Sequence, residues 1–217
     1  NDGTYKWNVW CNSSIGTTFD WSLQGNQTFI IDTIKPLISY GTNNPVNYAN
    51  LSQNFVYINT TWTEINFDNL IFTLLDTLNN IVYSNTYSDS IIPVYEDTLI
   101  TADGNYTYFV NITDKAGNKN STAMRYITLD TTSPNATLIF PANNTYNSTT
   151  SQIFTSNLSD NLGIKNATLY IYNQSGVYNQ TNTNFAVNIL QKTLGIVVTL
   201  INGAYNWWFD IWDWAGN

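Results

Sequence analysis

The stretch "DGNYTYFVNITDKAGN", residues 103–118, decides the fold. Between an Asp-Gly pair and an Ala-Gly-Asn turn, Tyr106, Tyr108, Val110 and Ile112 fall on one parity and Asn105 and Asn111 on the other. That is the period-two pattern of a half-buried β-strand. The stretch occurs twice more, as "DGTYKWNVWCNSS" (residues 2–14) and "NGAYNWWFDIWDWAGN" (residues 202–217). Laying Gly3, Gly104 and Gly203 over one another aligns Tyr5, Tyr106 and Tyr205, then Trp7, Tyr108 and Trp207, with a period of about a hundred residues. Solenoid and propeller repeats run about 20 to 50 residues, so each repeat is expected to be a domain with its own core.

Val, Ile, Thr, Tyr, Phe and Trp are abundant, and no stretch sustains apolar residues at helical spacing, which predicts an all-β chain. Alternating segments bounded by Gly, Asn, Asp or Pro predict strands at 36–40, 54–63, 69–75, 81–86, 94–101, 105–113 and 122–129 in the middle repeat. The last repeat echoes them at 137–140, 151–158, 166–172, 176–181, 194–200 and 204–212, with no counterpart of the closing strand.

Asp-Gly-x-Tyr, a strand, Asp-x-Ala-Gly-Asn, another strand and then "LDTTSPNATLIFPANNTY" resemble the immunoglobulin-like repeats of large bacterial and archaeal cell-surface proteins of surface-layer, stalk or filament type. The resemblance covers essentially the whole chain and implies tandem immunoglobulin-like β-sandwiches arranged as an elongated array. In that family Gly-x-Tyr opens the sixth strand, here at Gly104 and Tyr106. Ala-Gly-Asn, here Ala116 to Asn118, turns into the seventh, and Asp-Thr-x-x-Pro links to the next domain, here at Asp130 to Pro134 and, with Lys35 before Pro36, at Asp32 to Pro36. The implied organisation is 1–32 as the last two strands of a truncated domain, 33–130 as a complete domain, and 131–217 as a domain lacking its last strand. Two explanations of those ends stand side by side: a window on a longer array, or an edge completed by a strand from a neighbouring subunit. Cys11 aligns with Ile112 and Ile211. Strand parity places it on an inward set with Tyr5, Trp7 and Val9; related domains imply a disulfide to a strand upstream of residue 1, and the alternative is a small buried hydrophobe.

Asn-x-Ser/Thr acceptor triplets begin at Asn12, Asn26, Asn50, Asn59, Asn105, Asn111, Asn120, Asn135, Asn143, Asn147, Asn157, Asn166, Asn173 and Asn179. Strand parity sets Asn105 and Asn111 opposite the apolar residues, Asn12 opposite Cys11 and Val9, and Asn166 opposite Ala167, Leu169 and Ile171. The acceptors are thus expected on the solvent face or in turns, carrying N-linked glycans. Only 10% of residues are charged and 43% are hydrophobic, against roughly 25% charged in an ordinary globular domain. A glycan coat would hydrate such a surface.

Catalysis finds little support. There is no His, no Gly-rich phosphate loop, no nucleophile elbow and no paired-cysteine metal site, and the acids are scattered. A net charge of −8 with seven basic residues leaves no nucleic-acid footprint, and "LGIVVTLI" is strand length, so this segment holds no membrane span. Asp32, Asp103, Asp114, Asp130, Asp160 and Asp213 fall in turns or at junctions, where some extracellular arrays bind calcium between domains. No loop concentrates acids at a recognisable ligand spacing, and Asp is also a turn former.

If Tyr205, Trp207, Phe209 and Ile211 face inward, Trp208 and Trp212 face outward, with Trp214 in or beside the turn. These three form a candidate interaction surface for a glycan, a neighbouring domain, a like subunit or a foreign carbohydrate. The pattern favours a non-enzymatic structural module of a long extracellular protein; an adhesin or carbohydrate-binding module, and a noncatalytic spacer of a secreted enzyme, are the alternatives. Short Pro-containing links predict a stiff array with an axial repeat of roughly 35 to 45 Å per domain.

Overall fold

The computed structural model describes residues 2–12, 19–21, 24–88, 94–99 and 102–217. Its regular elements are all strands, and no helix among the described residues is long and apolar enough to cross a membrane. The first four strands are β1 (Gly3–Trp7), β2 (Trp10–Asn12), β3 (Phe19–Trp21) and β4 (Gln27–Ile31), which form two antiparallel ribbons, β1 with β4 and β2 with β3. The expected inward set is overturned here: Tyr5, Trp7, Val9 and Cys11 are all exposed. Among the described residues no second sheet pairs with these ribbons, and without an inside alternation alone buries nothing.

The middle part contains β5 (Leu37–Tyr40), β6 (Ala49–Leu51), β7 (Phe55–Thr63), β8 (Phe67–Leu75), β9 (Ile81–Tyr87), β10 (Val94–Leu99), β11 (Gly104–Asp114), β12 (Lys119–Ser121) and β13 (Arg125–Leu129). One sheet has the order β10-β7-β5 and the other β6-β13-β11-β8-β9, with β12 on the far end of β11. Inward parity on β11 holds throughout: Tyr106, Tyr108, Val110 and Ile112 are buried and meet Val56, Ile58, Leu70, Phe72 and Leu74. Each such side chain contributes about 1.5–3 kcal/mol by leaving water. Strand β6 had no sequence signal, because three residues show no period; it is recruited by parallel pairing with β13.

The last part contains β14 (Asn135–Phe140), β15 (Ser151–Asn173), β16 (Gly176–Thr199) and β17 (Asn206–Asp213). Two pairs of expected strands are here fused into the single long strands β15 and β16, which run antiparallel over almost their whole length. The fusion is bent, not straight. Register shifts at Ser159/Ile164 and Ile164/Asn166 switch the buried parity from Phe154, Ser156 and Leu158 to Ala167, Leu169 and Ile171. Gly163 has φ +142°, and an added Cβ would lie 2.9 Å from Asn188 Cβ, so the bend needs glycine. Strand β14 flanks the first half of β15 and β17 the second. The two halves share one core, in which Phe154 meets Trp207 edge to face at 5.3 Å.

The second and third copies of Gly-x-Tyr work alike. Tyr106 donates its hydroxyl to the carbonyl of Ala102 at 2.9 Å, and Tyr205 to that of Ile201 at 3.0 Å. Such a tyrosine corner pins the loop entering the strand.

Candidate functional site: two acidic junctions and an aromatic face

Each junction grows from the Asp-x-Ala-Gly-Asn turn. Asp114 ends β11, where a register irregularity sets it off the strand. Its Oδ1 accepts the N–H groups of Ala116 and Asn118, its Oδ2 accepts Asn118 Nδ2, and Gly117 takes the left-handed conformation at φ +89°. Asn118 Nδ2 also donates to the carbonyl of Asp32 at 3.0 Å, so the turn grips the upstream link. The second copy repeats this plan. Asp213 Oδ1 accepts the N–H groups of Gly216 and Asn217, Gly216 has φ +92°, and Asn217 Nδ2 reaches both Asp213 Oδ2 and the carbonyl of Asp130, the latter at 2.7 Å.

The links are held from the other side as well. Thr33 donates its N–H and hydroxyl to Asp2 Oδ1, and Thr131 does the same to Asp103 Oδ1. Asp32 and Asp130 each accept the N–H two residues on, from Ile34 and Thr132. At the second link Asp103 Oδ2 also accepts Thr132 Oγ1 and, across from β15, Asn161 Nδ2 at 2.8 Å. Burial raises the Asp103 pKa, but hydrogen bonds from Thr132, Thr131 and Asn161 outweigh it and hold the carboxyl at about 2.

These bonds gather carboxylates from distant segments. Asp32, Glu64 and Asp114 present oxygens within 4.8 Å of one another at the first junction, and Asp130, Asp160 and Asp213 do so at the second. Neither Glu64 nor the pairing of these acids was foreseen from sequence, because their contributions lie tens of residues apart. At the second junction Asp130 is 2% exposed and Asp213 0%. Among the described residues the Asp130 carboxylate accepts one hydrogen bond, from Thr132, while Asp160 Oδ1 is buried with no partner, its Oδ2 being taken by the N–H groups of Leu162 and Gly163. Burial, then the negative charges of Asp160, Asp213 and Asp103, push the Asp130 carboxyl up to about 6 against the Thr132 hydrogen bond. An all-oxygen, acidic donor set with an orphaned buried oxygen is one that can hold a hard divalent cation.

The acceptor asparagines separate by environment. Asn26, Asn50, Asn105, Asn135, Asn143, Asn147 and Asn157 are exposed, and Asn111, Asn120, Asn166, Asn173 and Asn179 are half-buried; the side chain of Asn12 lies outside the described residues. Asn59 departs from the expected solvent face. It is 7% exposed, Nδ2 donates to the carbonyl of Thr42, and Asn44 brackets its backbone, so a sugar on that nitrogen would displace a buried bond. The Asn120 amide is also engaged, donating to the carbonyl of Pro36. Asn50 and Asn105 line a groove of about 510 Å³ beside the stacked rings of Tyr48 and Tyr126.

Trp208 and Trp212 are 41% and 46% exposed on the outer face of β17. Trp214 does not join them; it is half-buried, with Nε1 enclosed and unbonded among the described residues. Instead Tyr170 and Tyr172 of β15, which no sequence signal nominated, stack on Trp208 at 5.7 and 4.8 Å with interplanar angles of 21° and 19°. Cys11 is a free, exposed thiol, which removes its reading as a small buried hydrophobe.

The profile of the bacterial Ig-like domain family matches residues 73–131 and 134–217. The chain therefore belongs to that family. No curated protein matches it. Among solved structures it is similar to the fibronectin(III)-like modules of Clostridium thermocellum CbhA, at 12% identity and a TM-score of 0.41 over 83% of this chain and 87% of that one. It is also similar to a tetra-tandem repeat in the extending region of a large adhesion protein, at 19% identity and a TM-score of 0.43 over 100% of this chain and 54% of that one. Likeness at this level carries no functional inference.

Proposed function

We propose that the chain is a non-enzymatic structural segment of a long, N-glycosylated extracellular or cell-surface protein, part of a surface layer, stalk or filament. Its immunoglobulin-like units divide at 32/33 and 130/131, and each junction is braced by a divalent cation. The observation that carries this reading is the recurrence of one junction plan: an Asp-capped turn whose asparagine grips the upstream link, with three carboxylates gathered beside it. Bonds from both sides of a short Pro-containing link leave little slack, as load transmission along an array requires. Asp130, Asp160 and Asp213 would supply carboxylate oxygens to calcium at the second junction, and Asp32, Glu64 and Asp114 at the first. The ion would neutralise their repulsion and tie each link to the domains on either side.

Small-angle scattering in calcium and in chelator tests the mechanical part: a rod in calcium that loosens in chelator is expected, and freely jointed beads under both conditions would contradict it. Intact mass before and after deglycosylation tests the modification. No mass loss would remove the glycoprotein reading while leaving the junctions untouched.

A further inference from the structure

Asn166 is the cross-strand partner of Trp212, and Tyr170 that of Trp208. On the other side of β15, Asn166 faces Asn184, and Tyr170 faces Gln180. Residues on one parity of adjacent strands share a sheet face, with Cβ atoms of opposed pairs roughly 4.5–5.5 Å apart. One face therefore carries an acceptor asparagine, two exposed tryptophans and a flank of neutral amides.

The rings on this face are only half used. Tyr170 and Tyr172 stand 6.5 Å apart, far less than their separations from Trp208 taken together. Both tyrosines thus lie on the same side of the indole, and Trp208 remains 41% exposed. Trp212 is held by Nε1–H donating to Asp210 Oδ2 at 3.3 Å. It lies four residues from Trp208, about 13 Å along the strand. The Asn166 side chain makes no hydrogen bond to any described residue, in contrast with Asn59 and Asn120.

We propose that the aromatic face of β15 and β17 is the docking platform for the glycan carried by Asn166 of this same chain. The inference rests on the glycoprotein reading above and adds an occupant for the face. A sugar attached to Asn166 starts beside the Trp212 indole, and its extension along β17 reaches Trp208. The apolar C–H surfaces of the sugar rings then cover the indoles while their hydroxyl groups meet Gln180, Asn182 and Asn184. A neutral, hydroxyl-rich partner matches a face with one carboxylate and no cation on these positions. Covering it converts an exposed apolar patch into a hydrated one.

The test uses the full chain from its glycosylating host, labelled with 5-fluorotryptophan, with the two resonances assigned through Trp208→Phe and Trp212→Phe. Peptide mapping first reads occupancy at Asn166. The expected result is that Asn166→Gln, like enzymatic deglycosylation, shifts both resonances, whereas Asn50→Gln shifts neither. Sugar on Asn166 with unchanged resonances overturns the platform and leaves the glycoprotein reading standing. So does a bare Asn166 on a chain glycosylated elsewhere. No sugar at any acceptor overturns both. A soluble oligosaccharide that shifts the resonances of Asn166→Gln as fully as the attached glycan assigns the face to a foreign ligand, and also overturns the proposal.

Discussion

The two junctions share one backbone plan and balance their charge differently. At the first, an amide stands among the acids: Asn66 donates Nδ2–H to Asp32 Oδ2 at 2.6 Å and its N–H to Glu64 Oε1 at 2.7 Å. At the second, no side-chain amide reaches the carboxylate of Asp130 or Asp160 among the described residues, and the Asp160 carboxylate is bonded only by the N–H groups just after it. Repetition of the turn and link thus fixes where the chain goes without fixing how the carboxylates are satisfied. At the first junction a hydrogen-bond donor shares that task with a cation, whereas the second depends on a proton or a cation alone.

The sharpest way to break the comparison is to remove the capping acid from each turn. Asp114→Ala strands the N–H groups of Ala116 and Asn118 and the Asn118 amide, and should cost about 3 kcal/mol. Asp213→Ala loses the same kind of bonds but relieves repulsion on Asp130, so in chelator it should cost less. Denaturant unfolding of both variants measures the difference, and equal losses would mean that the second trio carries no excess charge.

Calcium should add to the loss in both variants, because each removes one carboxylate of a proposed ion site. At a concentration a hundredfold above its Kd, an ion bound only to the native state adds about 2.7 kcal/mol. Asp130→Asn should abolish the second junction's share of the gain read by calorimetry, whereas a gain undiminished by the substitution would locate that ion elsewhere.

Acidity provides the next measure. The native pKa of Asp130, about 6, lies above its ordinary value of 3.8, so the folded chain holds a proton that the unfolded chain releases. The associated stability is complete below the ordinary value and is lost as pH rises through about 6. Melting temperature in chelator should accordingly fall across that interval, and the fall should vanish in Asp130→Asn. Asp103 has the opposite sign: its native pKa, about 2, lies below 3.8, so its contribution is present above 3.8 and lost as pH falls toward 2.

The smallest effect belongs to Asn161→Ala, which removes one partly exposed bond from β15 to Asp103. About 1 kcal/mol or less is expected. Carbon-detected titration should show the Asp103 carboxyl rising from its depressed value, and an unmoved carboxyl would show that this cross-junction bond contributes nothing in solution.

Three motifs were readable without coordinates because each is closed by bonds within a few residues. Tyr106 to Ala102, Asp114 to Asn118 and Asp130 to Thr132 span two to four positions, so local sequence determines them wherever the chain is placed. Strand parity was readable for the same reason on β11 and β17, where an opposing layer makes alternation meaningful. Without such a layer, as at Tyr5 and Trp7, the same pattern misled. Asn59 was misread because its burial depends on the amide of Asn44, fifteen positions away, and not on its own neighbours.

By itself, then, the sequence determined the all-β repeat, its links and its turns, since short-range hydrogen bonds and side-chain alternation are local physics. Only the tertiary structure decided that Asp130, Asp160 and Asp213 would share one site, that β15 would run unbroken through a bend at Gly163, and that Tyr170 and Tyr172 would stack on Trp208. Each of these joins segments thirty or more residues apart or depends on the register between two strands. Proximity of that kind is set by how whole sheets pack, and no short window of residues contains it.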